Sequence, residues 1–173
     1  MNFFAIKFYP AKDRVIHASL FNMTVMQDKL LKSGGALDKL AALDPDIADA
    51  VKKFGPPEDR SLLVHFDTLA RSVIGQQISR AAATAIWHRM QEQNIQNPDI
   101  IATMPVEQVM QAGLSRRKAE YLIGIATEIT SGRLDLKALH QLSGNDVQKR
   151  LIEIRGIGAW TADNFRLFAL GDM

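Results

Sequence analysis

The sequence contains no cysteine in 173 residues. This excludes disulfides, zinc–thiolate centres, thiolate-held iron–sulfur clusters and any cysteine nucleophile. Net charge is also scarce: 21 Lys and Arg stand against 19 Asp and Glu, a formal +2. A polyanionic partner would have to be held by local basic character and not by the field of the whole chain. There is no long apolar run. The most apolar stretch, residues 62–90, is broken by His65, Asp67, Arg71, Gln76, Gln77 and Arg80, and so falls short of the ~18 apolar residues of a membrane helix. His17, His65, His88 and His140 are scattered without metal-ligand spacing and read as structural or surface groups. Lys7 cuts the apolar start after a few residues, which is not the form of a signal peptide. The default is a cytoplasmic protein without a membrane partner.

What is present is ordinary globular material, 47% hydrophobic and 23% charged, enough for one domain. Residues 1–22 differ from the rest. Phe3, Phe4, Phe8, Tyr9 and Phe21 crowd together without a helical period, as a short strand, an arm or a tail, and Met23 or Met26 is an alternative start. The expected organisation is a leader or arm over residues 1–25 and one domain over 26–173.

From Met26 onward the period is helical. Leu30, Leu31, Leu37, Leu40, Ala41, Ile47 and Val51 recur at three- and four-residue steps. Asp44-Pro45 is an N-cap followed by a first-turn proline, and Gly55 a stop. The pattern predicts a helix over residues 66–74, an interruption at Gly75-Gln76-Gln77-Ile78, and a helix capped by Ser79 with Ala82, Ala85, Ile86 and Met90 as its apolar stripe. Asn97-Pro98 is read as the end of that unit, and residues 105–113 as one short helix. Ser115 caps a helix carrying Ala119, Leu122, Ile125, Ala126 and Ile129, closed by Gly132. Ser143-Gly144-Asn145-Asp146 has the capping pattern ahead of Val147, Leu151 and Ile154. A last helix carries Ala162, Phe165, Leu167, Phe168 and Leu170. No alternating segment of convincing length follows residue 22, so the fold class is all-α, a compact multi-helix bundle.

The most informative segment is Arg155-Gly156-Ile157-Gly158-Ala159-Trp160-Thr161-Ala162. Two glycines bracket a tight interhelical turn and let foreign backbone approach closely. The N–H groups of the turn and of the next helix converge at the positive end of the helix dipole, an anion site. Ile157 is expected to point inward and fix the turn. The plainer reading is an αα-hairpin with packing glycines. The longer string, Leu-x-x-Ile-x-Gly-Ile-Gly-x-x-Thr-Ala, resembles the helix–hairpin–helix DNA-binding motif.

Further strings make the resemblance specific. Phe66-Asp67-Thr68-Leu69 with Ile74-Gly75-Gln76-Gln77-Ile78-Ser79, Gly113-Leu114-Ser115-Arg116-Arg117-Lys118-Ala119, and Gly156-Ile157-Gly158-Ala159-Trp160-Thr161-Ala162 are similar, in order and spacing, to segments of alkylpurine DNA glycosylases. Over about residues 36–172 the chain resembles the 3-methyladenine DNA glycosylase II type of the helix–hairpin–helix glycosylase superfamily.

The resemblance implies base excision from duplex DNA containing alkylated bases, with the damaged nucleotide flipped into a pocket. Gln77 matches the wedge that enters the stack. Gly156, Ile157, Gly158 and Thr161 belong to the phosphate-holding hairpin. Trp160 matches the aromatic beside the pocket, whose ring face suits a cationic base; its plainer role is core packing. Relatives that also cleave the strand carry a Schiff-base Lys where this chain has Trp160, so a monofunctional enzyme is implied. Arg116, Arg117 and Lys118 form the densest basic cluster, either a phosphate contact or a solvated face. A monovalent cation at the hairpin carbonyls is compatible with the family, and no side-chain motif reports it. The location implied is cytoplasmic and nucleoid-associated.

One expected element is missing. The family's catalytic Asp lies well beyond the Thr of the hairpin signature, whereas Thr161 is followed by twelve residues. The Asp is therefore expected beyond Met173, together with returning helices. Asp163 and Asp172 are the nearby carboxylates, and neither is assigned the role. The sequence allows a fragment, a truncated or frameshifted gene, or a DNA-binding relative without activity. Loss of the returning helices would expose Phe165, Leu167, Phe168 and Leu170 and favour self-association; no obligate protein partner is expected. A reading from another class, a helical protein-interaction module, requires the Gly turn merely to pack.

Overall fold

The computed structural model describes residues 35–57 and 60–172, so the aromatic leader and Leu30 and Leu31 lie outside the described residues. The regular secondary structure of the described residues is all helical, with no strand. No helix among them is long and apolar enough to cross a membrane. The chain divides into two compact units, Met1–Ser61 and Leu62–Met173.

In the first unit, α1 (Ala36–Leu43) and α2 (Pro45–Phe54) pack on each other. Asp44 serves both helices. Its N–H reaches the Leu40 carbonyl, and its carboxylate accepts from the Asp46 N–H at 2.9 Å. Pro45 occupies the first turn, Lys52 and Lys53 the last, and Gly55 ends the helix, as the sequence predicts.

The second unit holds α3 (Phe66–Ile74), α4 (Arg80–Glu92), α5 (Pro98–Ile101), α6 (Val106–Met110), α7 (Arg116–Thr130), a 3-10 turn (Ala138–Gln141), α8 (Gly144–Ile152) and α9 (Ala159–Phe165). A π-helical turn, Arg166–Leu170, continues α9. The central helix is α3. Phe66, Leu69, Ala70, Val73 and Ile74 are all buried, and α3 touches α4, α7 and α9. Burial of each large side chain of this kind stabilises by about 1.5–3 kcal/mol. Ser79, Ser115 and Ser143 each accept a backbone N–H at the start of α4, α7 and α8, as predicted.

Three expectations are corrected. In α4 the buried face is Ile86, Trp87 and Met90, with Ala83 packed partly against the core, while Ala82 and Ala85 are exposed. The helix is rotated because burying the Trp87 indole removes far more apolar surface than two alanines would. Asn97-Pro98 does not merely end a unit; Asn97 accepts from the Asp99 N–H at 2.9 Å and starts α5. The apolar face predicted to lie open at the C-terminal helix is mostly covered. Phe165 and Ala169 are buried, Phe168 and Leu170 are partly buried, and only Leu167 is exposed. The Leu62 N–H also donates to the Phe168 carbonyl, joining the start of the unit to this helix. Self-association through a broad patch there has no support in this packing.

Candidate nucleic-acid interface

The α8–α9 turn is built from buried anchors. Leu151, Ile154 and Ile157 are buried, and the Ile157 N–H donates to the Ile154 carbonyl at 3.0 Å. Ile157 thus points inward, as expected, and offers only backbone to a ligand.

The two glycines have different reasons to be there. Gly156 has φ +99°, and a Cβ added to it would lie only 2.4 Å from Tyr121 Cγ. Any side chain at that position is both strained and obstructed. Gly158 has φ −90° and ψ 171°, ordinary extended backbone, and a Cβ there would meet nothing within 4 Å. Nothing inside the protein requires a glycine at 158.

The N–H groups of Gly156 and Gly158 make no hydrogen bond with the described residues. The first N–H groups of α9 have no intrahelical partners. Together they are a set of donors without partners among the described residues, at a helix start, where an anion is favoured. The Ile154 and Gly156 carbonyls each already accept one bond, from the Ile157 N–H and the Gln76 amide. Each carbonyl oxygen keeps a second lone pair.

Trp160 is 64% exposed in the first turn of α9. Core packing is therefore not its role; the indole is presented to solvent. Thr161, next to it, is 3% exposed. Its side chain cannot reach a bulky ligand, which corrects its expected standing as a contact other than through its backbone N–H.

The α3–α4 turn lies against the same hairpin. The Gln76 side-chain amide donates to the Gly156 carbonyl at 3.0 Å. Gln77, next along, is exposed and has φ +58°, a left-handed backbone for a residue with a Cβ. That conformation costs about 1–2 kcal/mol and persists only where its surroundings impose it.

The basic cluster at the start of α7 separates into three roles. The Arg116 guanidinium pairs with Glu107 at 2.7 Å on the surface. Arg117 is exposed without a hydrogen-bond or ion-pair partner among the described residues. The Lys118 ammonium turns inward and donates to the Ile74 carbonyl at 2.7 Å and the Gln76 carbonyl at 2.6 Å. Burial pushes this ammonium below its ordinary pKa. Lys118 is thus removed from the phosphate-facing set predicted for it, because both carbonyls already hold its charge.

Sequence reasoning missed two residues here. Gln76 gave no local signal of a partner 80 residues away. Arg155 lies within the motif, and nothing in its sequence setting distinguishes it from other surface cations. Its guanidinium is 76% exposed beside the hairpin, near Glu120 at 3.9 Å and 5.7 Å from the centre of the Tyr121 ring.

The two nearby carboxylates are engaged elsewhere. Asp163 accepts from Gln148 at 2.8 Å and from Arg166 at 3.3 Å. Asp172 accepts from Arg166 at 2.9 and 2.7 Å. No group of three or more metal-ligating side chains occurs among the described residues.

Residues 70–165 match the HhH-GPD superfamily base excision DNA repair protein family. DNA-3-methyladenine glycosylase 1 of Schizosaccharomyces pombe is 32% identical over 141 residues, which are 76% of this chain and 61% of that protein. A DNA-3-methyladenine glycosylase of Bacillus subtilis is 29% identical over 138 residues, 72% of this chain and 46% of that protein. The solved structure of the Schizosaccharomyces pombe 3-methyladenine DNA glycosylase in complex with abasic DNA superposes with a TM-score of 0.67 and 32% identity, covering 78% of this chain and 69% of that one. The chain spans 46% and 61% of the lengths of the two curated relatives.

Proposed function

The chain belongs to the HhH-GPD superfamily of base excision DNA repair proteins, and from that membership we propose that it binds duplex DNA and serves in the excision of alkylated purines such as 3-methyladenine. The reaction is hydrolysis of the N-glycosidic bond. The observation that carries this reading is Gly158, a glycine with free N–H and open space before it that the protein's own packing does not need.

A phosphate held by the Gly156 and Gly158 N–H groups and the start of α9 is fixed without regard to base sequence. Arg155, exposed and next to Gly156 in the chain, adds positive charge there, and Arg117 is a second exposed cation of the same unit. This reconciles duplex binding with a net charge of +2: neutral amides provide the contact and a few side chains the field. Gln77 stands out from its turn as the group that fills the space left by an extruded nucleotide. Trp160 offers an exposed electron-rich face to a cationic alkylated base. An indole cannot form a Schiff base, so the strand is left intact and the chemistry is monofunctional.

A second reading is a duplex binder without catalysis. It is favoured by the engagement of Asp163 and Asp172 with Arg166, which leaves neither free to stabilise positive charge developing on the sugar. One pair of measurements decides. Duplex affinity by fluorescence anisotropy across a salt series is expected to fall steeply with salt; affinity indifferent to salt or absent overturns both readings and favours a protein-interaction module. Release of 3-methyladenine from methylated duplex carries the enzyme reading; tight binding without release carries the second.

A further inference from the structure

We infer that Lys118 and Gln76 are positioning residues that set the Gln77 turn at a fixed distance from the phosphate-holding hairpin, an inference that rests on the DNA-binding reading above. Helix α3 ends with carbonyls that have no intrahelical donor. A glycine in the left-handed region commonly closes such an end. Here Gly75 keeps a right-handed backbone, φ −71° and ψ −11°, and the left-handed residue is Gln77 instead. Something other than local backbone preference must hold that geometry.

The Lys118 ammonium does so. It bridges the Ile74 carbonyl at the last residue of α3 and the Gln76 carbonyl immediately before Gln77. No carboxylate pairs with it among the described residues. A partly buried cation balanced only by carbonyl dipoles gives up hydration, and what it gains is the shape of this one turn. Gln76 completes the chain of contacts. Its carbonyl accepts from Lys118, and its side-chain amide donates to the Gly156 carbonyl. The Gly156 carbonyl is held by Gln76 while its N–H makes no hydrogen bond among the described residues, so the anchor and the exposed Gln77 are two ends of one hydrogen-bonded bridge. Such a bridge matters for a protein that must grip one phosphate while a side chain enters the stack a set distance away.

The test uses the full chain and two duplexes, one undamaged and one bearing a tetrahydrofuran abasic analogue, with 2-aminopurine next to the analogue. Lys118→Met is expected to keep its circular dichroism spectrum. Its preference for the abasic duplex should fall at least tenfold, and the 2-aminopurine fluorescence gain on binding should be lost. Undamaged-duplex affinity should shift less than threefold. Lys118→Arg, which can still donate to both carbonyls, should recover at least half of the fluorescence gain, a rescue that a generic packing role would not give. Gln76→Leu should reproduce the Lys118→Met pattern, and it decides the matter if Lys118→Met does not fold. Folded variants with the wild-type preference and fluorescence overturn the inference. So does an equal loss for both duplexes, which would mean that only a positive charge was removed. If the wild-type chain itself binds neither duplex, the DNA-binding reading has failed and this inference falls with it.

Discussion

Gln76 reaches across 80 residues of sequence to donate its side-chain amide to the Gly156 carbonyl at 3.0 Å. The bond joins the α3–α4 turn, with its exposed left-handed Gln77, to the hairpin that carries the free N–H groups. Both halves of the proposed DNA contact therefore belong to one hydrogen-bonded corner of the Leu62–Met173 unit. Four expected outcomes follow from the geometry of this corner and its neighbours.

Gly158→Ala separates binding from folding. The position has ordinary φ and open space for a Cβ, but it is the N-cap of α9, where Gly is preferred to Ala, so stability should fall by no more than about 1 kcal/mol. A methyl at residue 158, next to the free N–H groups, is expected to hold a phosphate off. Duplex affinity should fall about tenfold or more, measured by anisotropy at fixed salt, with only a small shift of the urea midpoint. An unchanged affinity would return Gly158 to an incidental residue of the turn.

Gly156→Ala should do the reverse. Positive φ and the Tyr121 ring together predict a loss of about 2–4 kcal/mol of stability, from left-handed strain plus overpacking. Chemical denaturation measures it. Adding Tyr121→Ala removes the obstruction but not the strain. The double variant should therefore be less destabilised than the sum of the two single changes; strict additivity would show that the ring does not confine Gly156.

Trp160→Ala tests the exposed indole. With the ring mostly in solvent, stability should move by no more than about 0.5 kcal/mol. Base–aromatic stacking is worth about 1–3 kcal/mol. Affinity for duplex bearing an alkylated purine should therefore fall between about 5- and 150-fold, and more than affinity for undamaged duplex. Equal losses on the two would assign Trp160 to backbone contact instead of a base pocket.

His65 predicts a pH dependence of stability. Its ring nitrogen is hydrogen-bonded to Asp67 at 3.0 Å. That bond chiefly raises its pKa above the ordinary 6.5, burial opposes the rise, and the Asp67 charge adds to it. A His whose folded pKa lies above its unfolded value adds stability fully below the unfolded value and loses it as pH rises through the folded one. Stability should fall as pH is raised from below 6.5, and His65→Gln should flatten that slope. The effect is small because both side chains are well exposed. A slope unaltered in the variant would locate the titration elsewhere.

Much of this protein is determined locally, and the sequence alone reveals that part. Asp44, Ser79, Ser115 and Ser143 cap helices with their own side chains on N–H groups two or three residues away, interactions that need no tertiary partner. The hairpin string and its inward Ile157 are likewise local, because a turn this tight has few conformations. Tertiary structure decided what depends on distant neighbours. Trp87, too large to leave in water, turned α4 so that Ala82 and Ala85 face out. Tyr121 made Gly156 obligatory for the fold and left Gly158 as the glycine without an internal purpose. Lys118 sits in a run of three basic residues that reads as a solvated or phosphate-facing stripe, yet its ammonium closes carbonyls 42 and 44 residues away. Spacing along a chain reports which side chains share a helix face. Only packing decides which unsatisfied backbone groups a long flexible side chain will find, and here that choice placed Gln77 beside the hairpin.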